Sequence, residues 1–168
     1  KVLQDAFPAH ELSEDTLELY ARLLKDLPVD VAKRAVLAVI ANRTYPTPPT
    51  IGEIRQAAAR LLMQAPTPAE ALAEVREQIR EASGTYGTPR FSHPAIARAV
   101  DAIGWYNICQ TTSPEVVQSQ FLRIYESIVD SWTAALADPV PTPRRQQIVA
   151  LLQQANVALP AADKALPV

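Results

Sequence analysis

The sequence predicts an all-α fold of six to seven helices arranged as two small bundles packed or hinged together, with no sheet. Three observations carry this. The chain holds only four glycines against 15 prolines in 168 residues, whereas β-hairpins depend on glycine and helix starts favour proline. Serine or threonine directly followed by proline recurs at Thr67-Pro68, Ser113-Pro114 and Thr142-Pro143, the arrangement of a helix N-cap with proline at the first helical position. Between these punctuation marks, apolar residues recur three or four positions apart.

The first helix is expected near 13–26, where Leu17, Tyr20, Leu24 and Leu27 make one apolar face. A second, near 29–43, is apolar almost all round through Val29, Val31, Val36, Leu37, Val39 and Ile40, so it is expected to be the central helix of its bundle. The segment Tyr45-Pro46-Thr47-Pro48-Pro49 then ends it, because proline lacks the N–H a helix needs and pushes the preceding residue out of the α region. Thr50 lies three residues before Glu53, the spacing of a reciprocal capping box, and opens a third helix over about 50–64.

Pro66-Thr67-Pro68 reads as a hinge, and Thr67 with Glu70 repeats the capping box at the head of a helix over about 69–82. In that helix Leu72, Val75 and Ile79 form one stripe, while Glu70, Glu74, Glu77 and Glu81 face outward beside Arg76 and Arg80. Residues 83–92 hold two of the four glycines and read as a flexible loop. Ser92-His93-Pro94 starts a short helix to about Gly104, with His93 in its first turn. The longest helix runs from Pro114 to about Leu136, and Val117, Phe121, Ile124, Ile128 and Trp132 give it a core face, with Trp105 expected nearby. Pro139-Val140-Pro141-Thr142-Pro143 is a stiff extended linker that few contacts should cross. The expected organisation is therefore an N-terminal bundle over 1–65, a second helical unit over 66–138, and a linker with a short amphipathic tail over 139–168.

Composition excludes several classes. A content of 48% hydrophobic residues with mean hydropathy near zero reads as a soluble, globular chain. No window approaches the roughly 20 unbroken apolar residues of a bilayer helix. A net charge of −2 and a pI of about 5.7 lack the basic excess of a dedicated nucleic-acid binder, so no sequence-specific nucleic-acid binding is expected. The chain opens on Lys1 with no signal-peptide pattern after it, and reads as part of an intracellular protein. Cys109, the single cysteine, sits among Ile103, Trp105 and Ile108 and reads as a small hydrophobe.

Candidate chemistry is sparse. Glu11, Glu14, Asp15 and Glu18 cluster, but on a helix surface their carboxylates diverge, and Glu18 has Arg22 four residues on as an ion-pair partner. The two histidines, His10 and His93, lack cysteine or aspartate at ligand spacing. Neither G-x-x-x-x-G-K-[ST] nor G-x-G-x-x-G occurs. No catalytic, metal or cofactor residue is nominated, and no enzymatic activity is expected.

Three blocks resemble a known family. The acidic, Leu/Tyr-patterned Ser13-Glu14-Asp15-Thr16-Leu17-Glu18-Leu19-Tyr20, the Leu27-Pro28-Val29-Asp30 helix start, and Tyr45-Pro46-Thr47-Pro48-Pro49-Thr50-Ile51-Gly52-Glu53-Ile54 are similar to the N-terminal domain of phage replicative helicase loader/inhibitor proteins. Thr47 and Pro48 depart from the family's aromatic-Pro-Pro-Thr-Ile pattern. Phe91-Ser92-His93-Pro94, Ala102-Ile103-Gly104-Trp105 and Gln120 to Glu126 resemble the C-terminal halves of longer phage and prophage proteins of this kind. The resemblance implies a non-enzymatic adaptor in the bacterial cytoplasm that binds the hexameric replicative helicase, restrains it and loads it at an origin beside an initiator protein. Short members carry a helicase-contacting tail, and the analogous residues here are Arg144, Arg145, Ile148, Leu151 and Leu152. An apolar stripe on a tethered helix suits helix-in-groove binding. Equally, that helix folds back on its own bundle. A helical phage assembly or packaging chaperone is the alternative reading.

Overall fold

The computed structural model describes residues 2–10, 12–44, 46–81 and 88–155. Glu11 of the acidic cluster, Tyr45 before the prolines and most of the glycine loop, 82–87, lie outside the described residues, as does the chain beyond 155. Every described element is helical: α1 (Val2–Ala6), α2 (Glu14–Leu24), α3 (Val29–Asn42), α4 (Ile51–Met63), α5 (Pro68–Glu81), α6 (Pro94–Ile103), α7 (Trp105–Gln110), α8 (Pro114–Ala137) and α9 (Pro143–Gln154). The seven helices the sequence predicts are present, and α1 and α7, of five and six residues, are two short additions. No described helix is long and apolar enough to cross a membrane.

The caps explain the boundaries. At α4 the Thr50 N–H donates to Glu53 Oε2 at 2.6 Å while the Glu53 N–H donates to Thr50 Oγ1 at 3.3 Å. Thr67 and Glu70 repeat that exchange at α5 with distances of 2.8 and 3.3 Å. Ser13 accepts from the Thr16 N–H at α2, and Thr142 from the Arg145 N–H at α9. His93 is the N-cap of α6, one position before the helix, and its Nδ1 accepts from the Ala95 N–H at 3.1 Å. Gly104 separates α6 from α7 at φ +92°, a backbone conformation that a side chain would strain.

Contacts group the described residues into two units. The first contains residues 2–63 and Thr133–Arg145, so it takes the last turn of α8 and the first of α9. Its core is the α3–α4 pairing, in which Leu27, Val31 and Ala35 meet Ile54, Ala58 and Leu62, with Tyr20 and Leu24 of α2 against them. The Tyr20 hydroxyl donates to the Pro49 carbonyl at 2.7 Å and so fastens the proline segment. One expectation is corrected here: α3 is not the central helix. It buries only Val31 and Ala35, whereas α4 buries six residues from Ile54 to Met63. The small side chains of Ala58 and Ala59 let neighbouring backbones approach α4 closely, which the bulkier surface of α3 does not allow.

The second unit contains Gln64–Trp132 and residues 146–155. Leu72, Val75 and Ile79 of α5 face Ile108, Val117 and Phe121 around a gap of about 50 Å³. On α8 the deepest residue is Tyr125, which stacks on Phe121 at 5.8 Å between ring centroids and donates its hydroxyl to Pro66 O at 2.6 Å. Burial, with Glu74 and Glu70 nearby, pushes its phenol up to about 12. Trp132 is buried as expected, while Trp105 meets Phe91 edge-on at 6.4 Å. Glu74 of α5 accepts from both the N–H and the hydroxyl of Ser92, which pins the approach to α6.

Candidate interaction surface

Two places in the first unit and the tail helix bear on function. The sequence nominates the tail helix. Its Ile148 and Leu152, one turn apart, are 3% and 0% exposed, because the stripe they form is part of the packed interior. Leu151 is 38% exposed and Arg144 is on the surface. Arg145 is engaged: it donates to Asp26 Oδ2 at 2.7 Å and to the Asp138 carbonyl at 3.0 Å. The structure therefore divides the five nominated residues, leaving Arg144 and Leu151 presented outward. It also corrects the view that few contacts cross the proline linker, since Asp26 and Asp138 hold the residue just beyond it.

That anchorage centres on a residue the sequence reading missed. Arg55 of α4 is 3% exposed. Its Nε donates to Ala137 O at 2.6 Å, Nη1 to Leu23 O at 2.5 Å and to Asp26 Oδ1 at 2.7 Å, and Nη2 to Asp26 Oδ2 at 2.9 Å and to Asp138 O at 3.0 Å. The planar fork thus ties the end of α2 to the end of α8 through one buried cation. Burial would raise the Asp26 carboxyl, but hydrogen bonds and charge from Arg55 and Arg145 outweigh it and hold its pKa at about 2. The only hint in the sequence is an arginine flanked by Ile54, Ala58 and Ala59 on the apolar side of an amphipathic helix.

The second place is an open apolar groove of about 440 Å³ on the first unit. From α1 comes Leu3, and from α2 come Leu17, Ala21 and Leu24, spaced four and three apart along one ridge. Val29, Ala32, Val36 and Leu37 of α3 form the facing ridge, with Leu27 between the two. Val29 and Leu37 are 66% and 56% exposed. The charged residues that line it are Lys25 and Lys33, and among the described residues neither makes a salt bridge. On the outer side of α2, Glu18 and Arg22 pair with each other at 3.1 Å. The signal for this groove was the excess apolarity of α3, more than a single buried stripe requires.

A polar recess of about 540 Å³ lies between α3 and α4, where Arg43 bridges Glu53 at 2.5 Å and donates to the Thr47 carbonyl at 2.7 Å. The capping bonds from Thr50, with Arg43 beside them, hold the Glu53 carboxyl below its ordinary value. Its charged groups are consumed in closing the proline segment onto α4. Burial pushes the Cys109 thiol up, away from the thiolate form that reacts. Among the described residues no three His, Cys, Asp or Glu side chains converge on a point where a metal ion would fit.

No curated protein and no solved structure gives a significant match to the chain. Residues 1–55 match the family model for the N-terminal domain of phage helicase loader/inhibitor proteins, and this stretch contains α1, α2, α3, the proline segment and the whole apolar groove.

Proposed function

We propose that the chain is a non-enzymatic replication adaptor that binds a hexameric replicative helicase in the bacterial cytoplasm, restrains it, and passes it to an origin where an initiator protein is bound. The observation that carries this reading is the family match over residues 1–55, which coincides with a unit exposing a large apolar surface. Burying the side chains of Val29 and Leu37, each more than half exposed, would contribute roughly 1 kcal/mol apiece on binding. Proteins keep such surface accessible where a partner covers it. The acidic balance of the chain supports a protein partner over nucleic acid.

In this reading the contact is made by the first unit, and the tail adds Arg144 and Leu151. Ile148, Leu152 and Arg145 support the fold that presents them. Co-purification with the host's hexameric replicative helicase in the presence of ATP tests the proposal. Stoichiometric retention on size-exclusion chromatography is expected. Absence of any complex, with both proteins folded, would overturn it in favour of a phage assembly or packaging chaperone.

A further inference from the structure

We infer that the groove between α2 and α3 is the docking site for one amphipathic helix of the partner, about two to three turns long, whose apolar stripe is flanked by carboxylates. This rests on the helicase-binding reading and specifies its chemistry. The ridge of Leu17, Ala21 and Leu24 runs seven residues along α2, about 10 Å at the helical rise of 1.5 Å per residue. Opposite it, Val29, Ala32 and Val36 repeat at a spacing of three and four. Two parallel ridges with alanines among them form a valley into which a third helix packs its side chains. A bound strand would need an edge with free N–H and C=O groups, and the described elements of this unit are helices whose backbone groups pair internally. Anchors at i, i+3 or i+4, and i+7 of an incoming helix match the spacing of the ridges.

Charge selects the occupant. The charged lining residues are Lys25 and Lys33, both cations, both exposed and both without a salt-bridge partner among the described residues. An apolar helix edged with glutamate or aspartate would place each carboxylate against an ammonium, while a basic helix would be repelled. Such pairs act at a rim, so they govern association rate and salt dependence more than the final affinity.

The test uses the full chain, the purified helicase hexamer as probe, and biolayer interferometry at low and high NaCl. Leu37→Glu should weaken binding at least tenfold, and so should Val29→Glu. Lys25→Glu with Lys33→Glu should weaken it several-fold and abolish the loss of affinity that salt causes in the unaltered chain. Val116→Glu, at an exposed position of the second unit, should bind as the unaltered chain does. Circular dichroism checks folding, and the lysine pair, being surface positions, keeps the test decisive if Leu37→Glu misfolds. Helicase binding that is unchanged by all groove variants overturns the docking site and leaves the helicase reading standing. If the unaltered chain binds no helicase, that reading falls. In that event a labelled 14-residue peptide with a leucine stripe and glutamate flanks decides the groove: loss of its binding in Leu37→Glu supports the inferred chemistry, and no binding to the unaltered chain overturns it. Sedimentation that shows a dimer broken by Leu37→Glu, with helicase binding unaffected, would assign the groove to a second copy of the chain and overturn the inference.

Discussion

Replacing Arg55 by methionine keeps most of the side-chain volume and removes the cation that five hydrogen bonds share. Taking one partner from a buried ion pair costs about 3–5 kcal/mol when the other charge is left uncompensated. Two features move the expectation to the lower end of that range. The Asp26 side chain is 30% exposed and keeps Arg145, and the Asp138 carbonyl also keeps Arg145. Against this, Leu23 O and Ala137 O lose their arginine donors, and an unsatisfied acceptor costs about 1–3 kcal/mol where water cannot reach it. We expect a loss of about 3 kcal/mol, which for a chain of this size lowers Tm by roughly 6–12 °C. Urea unfolding followed by circular dichroism measures the free energy, and differential scanning calorimetry the Tm. Arg55→Lys separates charge from geometry: a point-like ammonium cannot reach all four acceptor residues at once, so about half the loss should remain. A loss below about 1 kcal/mol for Arg55→Met would refute the keystone role of Arg55. Wild-type stability in Arg55→Lys would show that charge alone matters and the fork does not.

Four further outcomes are expected. Because the folded pKa of Asp26 lies at about 2, below its ordinary value of 3.8, its stabilisation is present above about pH 4 and is lost as pH falls toward 2. The stability gap between the unaltered chain and Asp26→Asn should therefore close over that window in acid titrations of urea unfolding. Phe121→Ala removes a 2%-exposed ring stacked on Tyr125 and should cost roughly 3–5 kcal/mol in the same assay. Gly104→Ala forces a side chain into φ +92° and brings its Cβ to 3.2 Å from Asn107 Nδ2, so a loss of about 1–3 kcal/mol is expected from thermal melts. Truncation after Asp138 removes Arg145 from Asp26 and deletes the buried Ile148 and Leu152. It should lower Tm markedly, and an unchanged melt would show that α9 contributes nothing to the fold.

Local chemistry was fully legible in the sequence. The Thr50–Glu53 and Thr67–Glu70 capping boxes, the proline stop after α3 and the glycine break after α6 each act through atoms within a few residues, so spacing alone implies them. That reach gave the all-α class and the seven principal helices. Which face of a helix is buried was not legible. The apolar girth of α3 fits a central helix and a surface helix with a second, exposed apolar side equally well, and α4 took the centre because its alanines permit close approach. The tail shows the same limit, since an apolar stripe through Ile148 and Leu152 has one appearance whether it awaits a partner or lies packed. Only the tertiary structure could join Asp26, Arg55, Asp138 and Arg145, whose separations in sequence run to 119 residues. Hydrogen bonding over such distances depends on where helices end in space, which no local pattern encodes.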